Sequence, residues 1–273
     1  MLIKIFITIL FAKIIQCQIN LSRFSPLVEN LVKNYGKQTV EQSKYHQIYD
    51  FVIVGSGPGG CVLANRLTEN PKIKVLMIEA GTVETIAQGV PLIAPLSVES
   101  RYNWGYLAEK QEYSCRGLRD GQCAYPRGKA LGGSSVINGM VYTRGSKGDF
   151  DHWKQLGIEN WDYETQVLPA FKRSERANLK YFHKPEFHNI SGSLSVTNSP
   201  YETPFAKIFI NAMKSLNYSE IDLNSDDSIG VGRLQSNTLR GVRHSAFEAF
   251  IRPVLKRKKF THHDQHTCDK NSH

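Results

Sequence analysis

One run constrains this chain more than any other: Tyr49–Val54 (YDFVIV), the glycine cluster 55–60, Cys61–Thr68 (CVLANRLT) and Lys74–Ile78 (KVLMI). The first stretch is apolar on consecutive residues, which predicts a short strand buried on both faces. The cluster predicts a turn. The third stretch places apolar residues at helical spacing until Asn70-Pro71 stops it. A second buried strand then follows. Strand, turn, helix and strand in this order make a right-handed parallel crossover, so the expected class is α/β.

Gly55-x-Gly57-x-x-Gly60 is weak evidence alone but stands where a dinucleotide-binding turn belongs. Gly55 permits the tight turn, Gly57 lets main chain approach a diphosphate, and Gly60 lets helix and strand pack closely. Free N–H groups at the helix start, on the positive end of its dipole, suit phosphates. Glu79 ends the second strand, roughly twenty residues on, where a carboxylate would accept hydrogen bonds from ribose hydroxyls and repel a 2′-phosphate. Ser56, Pro58, Gly59 and Ala80 complete this expected contact set. The unit does not separate NAD from FAD, and a glycine-rich hairpin without ligand is the bland alternative.

Beyond it, 81–125 is irregular and too long for a plain connector, so it should carry packing or function. Arg127–Gly145 is rich in Gly and Ser, interleaved with Leu131, Val136, Ile137 and Met140, unlike a solvated linker. Helices are expected over Tyr163–Arg176, capped by Asp162, over Phe205–Leu216, and over Ser245–Ile251 before Pro253; a strand is expected over Ser193–Thr197. Apolar residues at 41% and charged residues at 22% exclude intrinsic disorder. The net charge of +9 is spread along the chain apart from Lys256–Lys259, which reads as a solvated surface and not a nucleic-acid face.

The N-terminus begins with one charge, Lys4, before an apolar run, Ile5–Ala12, too short to span a bilayer. It reads as a signal peptide over 1–17, followed by a lead at 18–47 with a short helix over Pro26–Tyr35. No stable membrane span is expected, and the protein is expected to be secreted and extracellular. Export would let Cys115 and Cys123 pair across their glycine-containing loop, while Cys61 reads as a buried thiol. Sequons at Asn20, Asn189 and Asn217 fit a glycoprotein.

Two blocks, YDFVIVGSGPGGCVLANRLTENPKIKVLMIEAG (49–81) and RGKALGGSSVINGMVYTRGSKGDFDHW (127–153), resemble the glucose–methanol–choline (GMC) oxidoreductases, a family of FAD-dependent enzymes. The wording is closest to the insect branch that includes glucose dehydrogenase-like proteins, and the likeness runs from about 48 to 260. It implies an incomplete Rossmann-type FAD-binding domain over 48–150 and, over 151–260, part of an α+β substrate domain with the start of a return to the FAD domain. It implies oxidation of a CH–OH group of an alcohol or sugar, with a quinone or oxygen as acceptor. Gly128, Leu131, Gly132, Gly133, Ser134, Asn138, Gly139, Met140 and Val141 are implied cofactor contacts, the last four alongside the flavin. Some members attach FAD through a His just before the Asn; here Ile137 stands there, so FAD should be non-covalent.

The family's base, a His with a second His or Asn, belongs to a C-terminal half that this sequence lacks. No catalytic residue and no metal ligand is therefore assigned, and the chain by itself is expected to be inactive: a truncated isoform or fragment is the alternative to an enzyme. His244 falls in a segment that resembles a structural part of the family. The tail 261–273 (THHDQHTCDKNSH) departs from the family pattern. It is expected to be polar and disordered, with the strand that should follow Phe260 lost and a sheet edge left unpaired.

Overall fold

The computed structural model describes residues 48–226 and 229–263. The expected signal peptide, the lead with its helix, the Asn20 sequon and the tail beyond His263 lie outside the described residues.

Strand β1 (Phe51–Val54) turns into helix α1 (Pro58–Leu67), and β2 (Val75–Ile78) follows. Pro58 fits the first turn because N–H groups there have no acceptor within the helix. After short helical turns between Ile86 and Ser97 come β3 (Val141–Tyr142), α2 (Lys147–Gln155), α3 (Leu168–Ser174) and β4 (Glu175–Asn178). The chain continues through β5 (Leu194–Asn198), α4 (Pro204–Ser215), β6 (Gln235–Ser236), β7 (Thr238–Leu239), β8 (Val242–Arg243) and β9 (Phe260–His263). One sheet is ordered β1-β2-β9 and all parallel; a second is ordered β3-β6-β5-β4; β7 and β8 form a hairpin. The class is α/β with a mixed second sheet, as expected.

The main core lies on one face of the parallel sheet. Val75, Met77 and Phe260 point into it and meet Cys61 and Ala64 of α1 and Phe247, Phe250 and Ile251 of a helical turn near the C-terminus. Cys61 is buried, as expected, and burial pushes its thiol up to about 12. Cys115 and Cys123 are disulfide-bonded with Cα atoms 5.5 Å apart.

Three expectations need correction. β1 is not buried on both faces: only Ile53 packs on the core, whereas Phe51, Val52 and Val54 are exposed. Its residues are apolar on both sides, but the described elements cover one face of the sheet and β1 lies at its edge. The helix expected to Arg176 ends at Ser174, where the chain turns extended and Glu175 enters β4. The strand expected to be lost after Phe260 is present, with Val75 beside Phe260 and Ile78 beside His263. Strand pairing uses main-chain groups and tolerates polar side chains. The alternation buries Phe260 and His262, whose rings stack at 5.9 Å.

Candidate functional site

The glycine turn between β1 and α1 opens onto a cavity of about 680 Å³. Its walls include Gly55, Gly57 and Pro58 from the turn, Glu79 and Ala80 from the end of β2, and Gly128, Gly133 and Ser134 from the second glycine block. Residues from three separate stretches of sequence thus meet at one end of the parallel sheet, beyond the carboxyl ends of its strands. That is where ligands bind in open α/β sheets.

Close backbone contact explains why two glycines are needed. A Cβ on Gly60 would stand 2.2 Å from the Gly55 carbonyl oxygen, and one on Gly133 would stand 2.6 Å from Gly57 Cα. Both positions are closed by main chain, which cannot move aside. Gly57 differs: a Cβ there would meet no atom within 4 Å, so it faces the open cavity. Helix α1 starts at this point without any side-chain cap. Its first N–H groups are therefore unspent and carry the positive end of the helix dipole.

Glu79 lines the cavity but also ties the turn together. Its Oε2 accepts from both the amide and the hydroxyl of Ser56, at 2.8 Å each, and its Oε1 accepts from the Gly81 amide at 2.8 Å. Ser56 is itself fully buried. The carboxylate therefore has a structural duty that the motif did not reveal.

Leu131 and Gly132 sit behind the cavity wall. Leu131 is in the main core, and Gly132, with φ +103, packs on Phe247. Gly59 points to open space. Asn138 and Met140 line a second cavity of about 220 Å³, which shares Pro58 with the first. Asn138 is exposed, as are Gly139 and Val141, which do not line this cavity, while Met140 is buried with φ 62. His244 also lines it. Its Nδ1 accepts from the Ser195 amide at 3.1 Å, and burial lowers its pKa to about 4, so it is a neutral side chain with a structural bond.

Two wall residues escaped the motifs, Trp104 and Tyr106, and a third, Arg127, opens the second block without having been singled out as a contact. The two rings are parallel at 5.8 Å and half exposed, and the Lys129 ammonium lies over Trp104 at 4.7 Å. The available signal was an aromatic pair around Gly105 inside a stretch too long to be a connector. Among the described residues no cluster of His, Cys, Asp and Glu could hold a metal ion, and no helix is long and apolar enough to cross a membrane.

Comparison with known proteins sets this geometry in context. A family model described as GMC oxidoreductase matches residues 49–270, past the Phe260 limit read from the motifs. Glucose dehydrogenase [FAD, quinone] of Drosophila melanogaster is 39% identical over 210 residues, which are 77% of this chain and 33% of that enzyme. Oxygen-dependent choline dehydrogenase of Sinorhizobium fredii is 39% identical over 212 residues, 76% of this chain and 37% of that enzyme. The crystal structure of pyridoxine 4-oxidase from Mesorbium loti superposes with a TM-score of 0.71 at 32% identity, covering 80% of this chain and 42% of that one. The chain thus spans about a third of the length of the curated relatives it matches.

Proposed function

The chain belongs to the GMC oxidoreductase family, and from that premise we propose that it supplies the FAD-holding part of an enzyme oxidising a CH–OH group of an alcohol or sugar. The observation that carries this reading is the open face of Gly57 at an uncapped helix start, inside a cavity with room for an extended nucleotide. The residues present fit the group. The first N–H groups of α1 and the Gly133–Ser134 main chain hold the diphosphate, Glu79 receives ribose hydroxyls on its remaining lone pairs, and Trp104 and Tyr106 offer half-exposed faces to a base. Asn138, Gly139, Met140 and Val141 lie alongside the flavin ring. Ile137 offers no nucleophile for a covalent link, so attachment is non-covalent. When bound, FAD supplies the hydride acceptor. A quinone or oxygen, named for the Drosophila and Sinorhizobium relatives, is the terminal acceptor.

Export to the extracellular space is part of the same reading. The Cys115–Cys123 disulfide suits an oxidising compartment, and the apolar run Ile5–Ala12 suits a signal peptide. Of the two described sequons, Asn217 is exposed and free to carry a glycan. Asn189 is spent, its amide donating to the Lys172 carbonyl at 2.8 Å.

Two glycine variants test the cofactor assignment. Gly57→Val should fold with an unchanged melting temperature, because its side chain enters empty space, yet lose FAD retention. Gly60→Ala should lower the melting temperature outright. Titration of purified protein with FAD, followed by flavin fluorescence, reads the first effect; retention of FAD by Gly57→Val at wild-type strength rejects the assignment.

A further inference from the structure

Arg243 is a buried cation whose hydrogen bonds all go to neutral oxygens. It is 3% exposed. Its Nε donates to the Gln88 carbonyl at 2.8 Å, and its Nη1 donates to the Ser135 carbonyl at 2.9 Å and to Asn138 Oδ1 at 2.7 Å. Its Nη2 is buried with no hydrogen-bond partner among the described residues. The buried Glu84 carboxylate favours the charge through space but is not hydrogen-bonded to it. Burying a charge without a direct partner is expensive, and a neutral side chain could fill the same volume. The retained charge calls for a task.

The contacts identify one. Asn138 Oδ1 also accepts from the Met140 amide at 3.0 Å, which closes a tight turn over Asn138-Gly139-Met140. Met140 lies at φ 62, a region that unbranched L residues enter only when held there. The Asn237 amide, next to the β7–β8 hairpin, donates to the Met140 carbonyl at 2.8 Å and holds the turn from its other end. The same hairpin carries Arg243. The turn therefore presents Asn138 and Gly139 outward while Arg243 grips it from beneath, and all of this borders the smaller cavity next to Pro58.

We propose that Arg243 is a positioning residue: it fixes the Asn138 carboxamide, and through it the strained Asn138–Met140 turn, as a rigid wall for the ring end of the bound dinucleotide. This rests on the FAD reading above, and it assigns the two cavities different halves of the ligand. The ADP half belongs to the larger cavity around Gly57 and Gly133. The flavin half depends on the turn that Arg243 holds.

The test compares two ligands on the purified chain. In Arg243→Met, FAD affinity should fall about tenfold, the effect of losing one charge-assisted hydrogen bond, while ADP affinity stays at the wild-type value. Arg243→Lys should recover part of the loss, and the visible spectrum of bound FAD should shift in Arg243→Met but not in Arg243→Lys. Asn138→Leu removes the gripped carboxamide from an exposed position and should reproduce the selective loss even where Arg243→Met folds poorly. Asn138→Asp keeps the accepting oxygen and should retain FAD. An equal fall for ADP and FAD in both Arg243→Met and Asn138→Leu makes the role merely structural and overturns the proposal, as does no change for either ligand. Failure of the wild-type chain to bind ADP at all overturns the underlying cofactor reading instead.

Discussion

At the scale of single residues, the buried charges decide more than the motifs do. His188 lies between two carboxylates, Nδ1 at 2.9 Å from Glu175 and Nε2 at 2.7 Å from Asp222, and Arg144 pairs with Glu175 at 2.9 Å. Both ring nitrogens face acceptors, so the imidazolium is the form that satisfies them. Although burial opposes the charge, the bonds to Asp222 and Glu175 raise the His188 pKa to about 9. Burial opposes ionisation of Asp222 too, yet its bond to His188 holds its pKa at about 2. The folded pKa of His188 lies above its usual 6.5, so its contribution is complete below that value and is lost as pH rises through about 9. Asp222 acts in the opposite sense: its contribution is complete above 3.8 and is lost as pH falls through about 2. We expect His188→Gln to cost roughly 3–5 kcal/mol, since it removes the cation beside buried Asp222 and leaves Glu175 with Arg144 alone, and to abolish the alkaline fall in stability. Melting curves from pH 6 to pH 10 check this; an unaltered alkaline limb in the variant would show that another group carries it.

At the scale of elements, the turn after β1 and the strand β9 show two kinds of legibility. Gly60 could be read because main chain closes on it and Gly55 because its φ of +93 suits glycine, whereas Gly57 was legible only from its place between them. The boundaries of α1, β2, β5 and α4 match their periodicity within a residue or a few. β9 could not be read, because Thr261, His262 and His263 lack the apolar run expected of a parallel strand. What forms the strand is the row of main-chain groups offered by β2, together with the buried, stacked rings of Phe260 and His262. Phe260→Ala should therefore cost about 3 kcal/mol, measurable as a drop in the denaturant midpoint. A loss well below 1 kcal/mol would mean that β9 adds little to the fold. Glu175 illustrates the opposite case: a helix pattern continues through it, but burial of its carboxylate against Arg144 and His188 draws the chain into β4.

At the scale of the whole molecule, the described residues gather the walls of the Gly57 cavity from stretches far apart in the sequence. Of the described histidines, only His244 borders either cavity, and its Nδ1 is already bonded to the Ser195 amide. We expect anaerobic addition of glucose or choline to this chain loaded with FAD to leave the flavin oxidised, while dithionite bleaches it. Bleaching by the alcohol alone would place a working base within these residues. Taken by itself, the sequence determined the parallel crossover, the glycine turn, the buried Cys61 and the family likeness. Each depends on local spacing or on a residue type that the backbone geometry demands. Tertiary structure alone decided that Glu79 braces the turn, that Trp104 and Tyr106 face the cavity, that β9 completes the sheet, and that Arg243 reaches Asn138 from a hairpin far along the chain. These depend on contacts between residues distant in sequence, and such contacts leave no periodicity to read.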